Sequence, residues 1–144
     1  MTRKGFTLIE LVIAIVLIGV MAAFMFPRIG EGLRRQDVKS ARNAITTMHA
    51  QAKATAIQRG RPVAMVQRSN RVILLSRHPV TGAVDTIAVQ NLAERYGVSL
   101  STTEDSLVFD ARGLGMESSS TRITVSKAGI SDTIVITSIG SVLR

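Results

Sequence analysis

The sequence contains no cysteine and no tryptophan, and only two of its 144 residues are histidines. Without cysteine, the chain forms no disulfide and offers no thiolate to a metal or a substrate. The two histidines, His49 and His78, lie too far apart in sequence to form a paired metal motif. One tyrosine and four phenylalanines are too few for a surface that stacks nucleic-acid bases. Disulfide scaffolds, thiol enzymes and cysteine-ligated metal sites are therefore excluded.

Signatures of catalysis are also missing. The sequence has no glycine-rich phosphate loop and no Gly-x-Ser-x-Gly turn that would expose a nucleophile. We expect His49, on a helix, and His78, in a turn before a proline, to be surface or boundary residues. Glu104, Asp105 and Asp110 could contribute to a calcium site, but their neighbours do not follow an EF-hand pattern. We favour a solvated acidic loop, and we expect no enzymatic activity, cofactor or metal.

Polar side chains are absent from a long stretch near the N-terminus, between Leu11 and Phe26. As a helix, Phe6–Phe26 would span about 30 Å, which matches the apolar thickness of a bilayer. Arg3 and Lys4 precede the stretch, so the N-terminus is expected in the cytoplasm and the C-terminus outside. The sequence therefore predicts a single transmembrane helix.

A removed secretory signal peptide and a plain single-pass anchor are simpler interpretations of this stretch. Val20-Met21-Ala22 would be a weak cleavage site for a signal peptidase. Glu10 argues against both interpretations, because a carboxylate inside lipid has few ways of being satisfied. The helical pattern also continues far beyond the apolar stretch, which a removed signal peptide does not require.

The segment Gly5-Phe6-Thr7-Leu8-Ile9-Glu10-Leu11 resembles the signal of type IV pilins and type II secretion pseudopilins, and the resemblance covers residues 1–27. It implies that a prepilin peptidase cuts between Gly5 and Phe6 and methylates the new N-terminus at Phe6. It also implies that the chain assembles with other pilin or pseudopilin subunits, and that Phe6, Thr7 and Glu10 take part in assembly.

Cleavage would leave a cationic amine on Phe6 at the head of an apolar helix, where Glu10 is the nearest acid in sequence. An unpaired carboxylate among apolar helices is costly, so Glu10 is expected to pair with a cation. The Phe6 amine of a neighbouring subunit can supply that cation when the helices stack with a stagger. The Phe6 amine of the same chain can also do so, because the two residues lie four apart. The sequence leaves both geometries open.

Pro27 ends the apolar stretch, and Gly30 and Gly32 follow it. A proline inside a helix costs about 3 kcal/mol, and each glycine costs up to about 1 kcal/mol relative to alanine. Helical periodicity nevertheless resumes at once, and resemblance to pilins also implies a proline here. We therefore expect a kink or local unwinding at Pro27, as an alternative to a helix boundary at the membrane surface.

From Leu33 to Gln58 the pattern is that of an amphipathic helix, which Gly60 and Pro62 end. Apolar residues recur at spacings of three and four and form a narrow, alanine-rich stripe suited to packing on a sheet. This stripe consists of Val38, Ala41, Ile45, Met48, Ala52 and Ala56.

After Pro62 the sequence changes to short β-like segments with turn residues between them. Hairpins are expected around Ser69-Asn70 and around Ala128-Gly129-Ile130. The other predicted elements are strands at Val84–Gln90, Val98–Ser101 and Leu107–Asp110, a helical turn at Asn91–Tyr96 and a loop at Arg112–Ser120. The predicted fold class is α+β, with a long N-terminal helix packed on a small antiparallel β-sheet domain in a pilin-like arrangement.

The second half resembles the GspH/FimT group of minor pilins and pseudopilins. Phe109-Asp110-Ala111-Arg112-Gly113 and a closing hairpin that ends at Gly140 carry this resemblance. The chain departs from that group where Ala111 and Arg112 stand in place of a usual proline. It departs again where Ser141, and not arginine, follows Gly140.

Charge is distributed unevenly within a formal net charge of +8. Residues Arg34–Arg77 contain ten basic residues and one acid, Asp37, whereas His78–Arg144 contain five basic residues and seven acids. The basic half could meet acidic patches on neighbouring subunits, anionic lipid headgroups before assembly, or DNA phosphates, as resemblance to FimT-like pilins implies. The candidate DNA or phosphate contacts are Arg59, Arg61, Arg68, Arg71 and Arg144.

The sequence thus predicts a leader at residues 1–5, a transmembrane and assembly helix at 6–27, its amphipathic continuation at 28–60 and a β-rich periplasmic domain at 61–144. We expect a minor subunit of a type II secretion or type IV pilus machine, held in the bacterial inner membrane before it joins a filament. One alternative is a FimT-like pilin that binds DNA. Another is a membrane-anchored periplasmic binding module or enzyme that does not polymerise.

Overall fold

The computed structural model describes residues 6–78 and 80–143, with residues 25–28 described by their backbone only. The predicted leader with Gly5, and the C-terminal Arg144, lie outside the described residues. The chain divides into two compact units, residues 1–34 and residues 35–144. Helix α1 (Leu8–Arg59) contributes residues to both units.

In the first unit, α1 presents apolar side chains that no core covers. Leu8, Ile13, Leu17 and other large apolar residues of this part are more than half exposed. Within the described residues, α1 is the one helix long and apolar enough to cross a membrane, and none of its most apolar window is buried in the protein. Such a surface avoids water only in lipid or against other apolar helices.

Helix α1 continues through Pro27, so the helix does not end at this residue. A boundary at the membrane surface is therefore not the explanation of the proline. Pro27 therefore lies inside one long helix, and the kink expected at this position stays a prediction.

In the second unit, α1 packs on the sheets through the predicted stripe. All six residues of the stripe are buried, which confirms the amphipathic pattern. The helix ends one residue later than predicted, at Arg59, and Gly60 takes a left-handed φ of 58°. The Gly60 amide donates to the Ile57 carbonyl and the Arg61 amide to the Ala56 carbonyl, both at 3.2 Å. These two bonds satisfy carbonyls that the last helical turn leaves without partners.

The remaining elements follow in chain order. They are β1 (Val63–Arg68), β2 (Arg71–Arg77), β3 (Val84–Asn91), α2 (Leu92–Tyr96), β4 (Ser99–Thr102), β5 (Ser106–Phe109), β6 (Thr121–Lys127), β7 (Ile130–Ile136) and β8 (Val142–Leu143). Both predicted hairpins are confirmed. Ser69 and Asn70 have φ values of 51° and 60°, and Ala128 and Gly129 have φ values of 48° and 84°. Two consecutive residues of positive φ give the turn whose twist matches paired strands.

The strands form two antiparallel sheets, where the sequence predicted one small sheet. The first sheet has the order β3-β2-β1-β5 and the second sheet β4-β6-β7-β8. Strands β4 and β5 are neighbours in sequence but enter different sheets, because β5 returns to β1 while β4 pairs with β6. Long-range pairing of this kind is decided by packing and not by local pattern.

One hydrophobic core joins α1, α2 and both sheets. Its largest buried side chain is Phe109, and Leu92 enters it from α2. Two ion pairs also connect α1 to the second sheet, Asp37 with Lys127 at 2.7 Å and Arg42 with Asp132 at 3.3 Å. Asp132 of the C-terminal half therefore neutralises one helix arginine, while Lys127 pairs with Asp37, the acid of the helix.

Candidate functional site

The N-terminal end of α1 is a reciprocal capping box formed by Thr7 and Glu10. The Glu10 carboxylate oxygen Oε2 accepts hydrogen bonds from the Thr7 amide at 2.9 Å and from the Thr7 hydroxyl at 3.0 Å. In return, the Thr7 hydroxyl accepts from the Glu10 amide at 3.3 Å. This arrangement satisfies two amides that the first helical turn leaves without partners.

The capping box gives Glu10 a role that the sequence analysis missed. The signal was present, because Thr7-Leu8-Ile9-Glu10 fits the Ser/Thr-x-x-Glu pattern that precedes an apolar helix. Both bonds from Thr7 go to the same oxygen, Oε2. A carboxylate has about four lone-pair sites on its two oxygens. Glu10 can therefore cap its own helix and still accept hydrogen bonds from another cation through Oε1.

Phe6 precedes the cap and is exposed. The structure thus brings Phe6, Thr7 and Glu10 together within one helical turn at the head of an exposed apolar surface. Phe6, the predicted methylation position, is the first described residue, and Gly5 lies outside the described residues; cleavage and methylation stay predictions.

The described arginine candidates for phosphate contact do not form one patch. Arg68 and Arg71 are Cα partners at the turn end of the β1–β2 hairpin. Arg59 and Arg61 lie at the other end of β1, where α1 enters the first sheet. The length of β1 separates the two groups by about 17 Å, since a strand rises about 3.3 Å per residue.

Arg59 already has an ion-pair partner, and part of the Arg61 side chain is buried. Arg59 pairs with Asp85 of β3 at 2.9 Å, an ion pair between residues 26 apart in sequence. The Arg61 Nε atom is buried and has no hydrogen-bond partner among the described residues. Nothing in the local sequence signals the Arg59–Asp85 pair, because it depends on how β3 returns along β2.

Phe109 is the centre of a joint between α1 and the two sheets. Its bridge partner Gly115 donates to the Ile139 carbonyl at 3.1 Å, and Lys53 Nζ of α1 donates to the Gly140 carbonyl at 3.0 Å. A Cβ atom on Gly115 would overlap the Ser138 carbonyl oxygen and lie 2.8 Å from the Gly140 nitrogen. The glycines at these positions allow two loops to approach closely over the Phe109 ring.

The loop after Phe109 is organised by Asp110. Its Oδ1 atom accepts hydrogen bonds from the Arg112 amide at 2.9 Å and the Leu114 amide at 2.8 Å, and its Oδ2 atom pairs with the Arg112 side chain. The hydrogen bond from the Leu114 amide, helped by Arg112, lowers the pKa of the Asp110 carboxyl. Both carboxylate oxygens of Asp110 therefore bind groups within its own loop. In the part of the chain that the structure describes, no three potential ligands come together at a metal site.

The expectation that His49 lies at the surface or a boundary is wrong. His49 is only 5% exposed, and its ring stands edge-on to Phe109 with centroids 5.1 Å apart and an angle of 83°. His49 follows Met48, a residue of the buried stripe, and the Phe109 ring packs against it there, so the core extends to this histidine. Burial lowers the pKa of His49 to about 4; the Lys53 charge adds to this shift and a hydrogen bond to the Gly140 backbone opposes it.

Acid is expected to destabilise the fold through His49. His49 in the unfolded chain binds a proton as the pH falls below 6.5, whereas in the folded chain it binds one only near pH 4. The free energy of unfolding should therefore fall with pH across this window, by about 3 kcal/mol in total. Urea denaturation of the full chain in detergent at pH 7 and pH 4.5 measures the loss. The variant His49→Leu should lose much less, whereas His78→Gln, at an exposed histidine, should keep the full loss; equal losses in all three chains would contradict the assignment.

Comparison with known proteins gives two family matches. The prokaryotic N-terminal methylation motif matches residues 1–26, and the family described as type II transport protein GspH matches residues 41–140. No curated protein matches the sequence.

Solved structures with a similar fold include two crystal forms of the type IV minor pilin FimU from Pseudomonas aeruginosa. In space group P21, that protein superposes with a TM-score of 0.61 at 13% identity, over 76% of this chain and 88% of its own. In space group P65, the TM-score is 0.57 at 13% identity, over 73% of this chain and 90% of the other. At this identity the likeness shows a shared fold: a long helix packed on a small antiparallel sheet domain.

Proposed function

The chain belongs to the type II transport protein GspH family, and from this membership we propose that it is a minor pseudopilin or pilin subunit of a type II secretion or type IV pilus machine. A prepilin peptidase cleaves it between Gly5 and Phe6 and methylates the amine of Phe6. The mature chain then joins a helical filament through the first half of α1. The observation that carries this proposal is an exposed apolar helix headed by a capped, accessible carboxylate at Glu10.

Assembly follows from the chemistry of that helix. Apolar contact between the first halves of α1 from several subunits supplies most of the cohesion, because it replaces lipid or water around an uncovered surface. Glu10 sets the register, since its carboxylate is stable among apolar helices only with a cation beside it. Glu10 Oε2 caps its own helix while Oε1 accepts from the Phe6 amine of a neighbouring subunit.

The proposed location is the bacterial inner membrane before assembly and the filament afterwards. Arg3 and Lys4 keep the N-terminus in the cytoplasm, where the peptidase acts, and the second unit lies in the periplasm. The role is mechanical, and the proposal includes no catalytic residue and no cofactor. Contact with DNA through Arg59, Arg61, Arg68, Arg71 and Arg144 stays a sequence prediction, which the separation of the described arginines does not favour.

The intact mass of the full chain tests the proposed processing. The chain is purified from membranes of cells that contain a prepilin peptidase, and from matched cells that lack it. We expect a protein that begins at Phe6 and carries one added methyl group in the first case only. The variant Gly5→Leu should keep residues 2–5 in both strains, because it removes the small residue at the cleavage site. A wild-type chain that keeps residues 2–5 in the presence of the peptidase would refute the proposal.

A further inference from the structure

The outward faces of the two sheets differ in chemistry. On the first sheet, paired residues that point away from the core form a continuous apolar surface, here called the first-sheet face. It consists of Ala64, Val66, Ile73, Leu75, Val89 and Val108, and the hydroxyl-bearing residues Thr86 and Ser106 lie opposite Leu75 and Val66 on the same side. On the second sheet most outward residues are hydroxyl-bearing or charged, and the apolar ones among the described residues are Val135 and its partner Leu143 at the β8 edge. The polar ones include Ser101, Arg122, Thr124, Ser126, Ser131 and Thr133. The first sheet therefore presents a mainly apolar outer surface, and the second sheet presents a mainly polar one.

The first-sheet face is open and indented. Val89 is 54% exposed at its edge. A depression of about 610 Å³ enters the face, and its apolar lining includes Ala64, Leu75, Val84 and Val108. Exposed apolar patches that are continuous and bounded by polar residues mark sites of interaction in soluble domains. The depression has room for a large apolar side chain.

Arginines stand at both ends of this face. Arg68 and Arg71 lie side by side at the hairpin end, and Arg77 lies at the other end of β2 beside Arg61 at the rim of the depression. The two ends are separated by about 20 Å along β2. Within residues 6–78 and 80–143, none of these four side chains makes an ion pair, and the buried Arg61 Nε atom has no acceptor. Arg68, Arg71 and Arg77 are exposed, so carboxylates of a partner can reach their guanidinium groups.

We infer that the first-sheet face docks a partner protein, which inserts an apolar side chain into the depression and places carboxylates against the arginines at the two ends. Charge selects this occupant. Two copies of the face set against each other would oppose arginine to arginine. A membrane presents a flat surface, whereas the depression beside Arg61 and Arg77, at one end of the face, has room for a protruding apolar side chain with an acid next to it. The inference goes beyond the proposed function, because docking does not require that the chain polymerise.

Crosslinking in native membranes tests the inference with the full chain. The absence of cysteine allows a single thiol to be introduced as Val89→Cys on the first-sheet face or as Thr133→Cys on the second sheet. Each thiol is labelled with a maleimide benzophenone, the membranes are irradiated, and the adducts are identified by mass spectrometry. Unchanged melting curves establish that the labelled chains are folded.

We expect the Val89→Cys chain to give at least about tenfold more protein adduct than the Thr133→Cys chain. The crosslinked peptide of the partner should combine an apolar residue with nearby Asp or Glu. Reversal of charge in Arg68→Glu/Arg71→Glu should lower the adduct yield about tenfold, whereas Arg122→Glu on the second sheet should not lower it. Equal yields at the two positions, adducts with lipid alone, adducts between two copies of the chain, or adducts insensitive to charge reversal would overturn the inference. A chain that is processed and assembles normally but gives no adduct would overturn it while leaving the proposed function intact.

Discussion

Substitution of Glu10 by glutamine is expected to reduce incorporation of the chain into filaments about 100-fold. Glutamine can still accept hydrogen bonds from the Thr7 amide and hydroxyl, so the helix cap survives. What disappears is the negative charge, and the Phe6 amine of the neighbouring subunit is then left unpaired among apolar helices. Removal of one member of a buried ion pair costs about 3–5 kcal/mol, which corresponds to a factor of at least about 100. The measurement is the ratio of the chain in sheared filaments to the chain in membranes.

Thr7→Val is the matched control for this experiment. It removes the hydroxyl from the capping box but keeps the Glu10 charge, so it should lower incorporation only a few-fold, by about 1 kcal/mol or less. Glu10→Asp keeps the charge on a shorter side chain and should give an intermediate result. If Glu10→Gln assembles as well as the wild type while Thr7→Val fails, the carboxylate acts as a helix cap and not as the partner of an amine.

Substitution of Phe109 by alanine is expected to lower the free energy of unfolding by about 3–5 kcal/mol. The ring is fully buried, stands edge-on to His49, and lies under the loops of Gly115 and Gly140. Its removal opens a cavity that these loops cannot fill, because backbone hydrogen bonds hold both of them. Urea denaturation of the full chain in detergent, followed by circular dichroism in the β region, measures the change.

The variant Gly115→Ala tests the same joint without creating a cavity. Its new methyl group meets the backbone of residues 138–140, so we expect a loss of about 1–3 kcal/mol. Gly129→Ala is the control, since its Cβ would meet nothing within 4 Å and only the left-handed backbone opposes it. That substitution should cost about 1 kcal/mol. A Phe109→Ala chain as stable as the wild type would show that the joint does not hold the two sheets and α1 together.

Much of the fold was predictable because it depends on local signals. The stripe from Val38 to Ala56 follows the helical period, and every one of its residues is buried. The turns at Ser69-Asn70 and Ala128-Gly129 contain residues that tolerate positive φ, so both hairpins were expected. These signals act over a few residues, so they do not depend on which distant segments the chain later contacts.

The parts that escaped prediction depend on contacts between distant residues. His49 is polar and stands on the flank of the stripe, and its burial follows from Phe109, which lies 60 positions away in the sequence and packs against its ring. The separation of β4 and β5 into different sheets depends on which strands they meet. Thr7 and Glu10 are a different case. Their capping pattern is local and readable, but the sequence analysis considered only an amine, of the same chain or of a neighbouring subunit, as the partner of Glu10.

The sequence indicated which residues belong to the candidate site, but it did not show how they are placed relative to one another. Phe6, Thr7 and Glu10 were expected to act together, and the structure brings them together at the head of α1. The arginines were named only as candidate phosphate contacts, and the structure shows that β1 separates the described ones and that Asp85 pairs with Arg59. The first-sheet face did have a sequence signal. Val63–Val66 in β1 and Val72–Leu75 in β2 are continuous apolar runs, so both sides of these strands carry apolar side chains, and the register shows which of them lie together.

The position of the core along α1 has a practical consequence. Among the described side chains, Val38 is the first that belongs to the core. A protease that cut shortly before Arg35 would therefore remove only residues that add nothing to the interior. The released fragment should keep its melting behaviour and lose the apolar first half of α1. If the chain is held in the membrane as proposed, its release by one such cut and its unfolding are separable events.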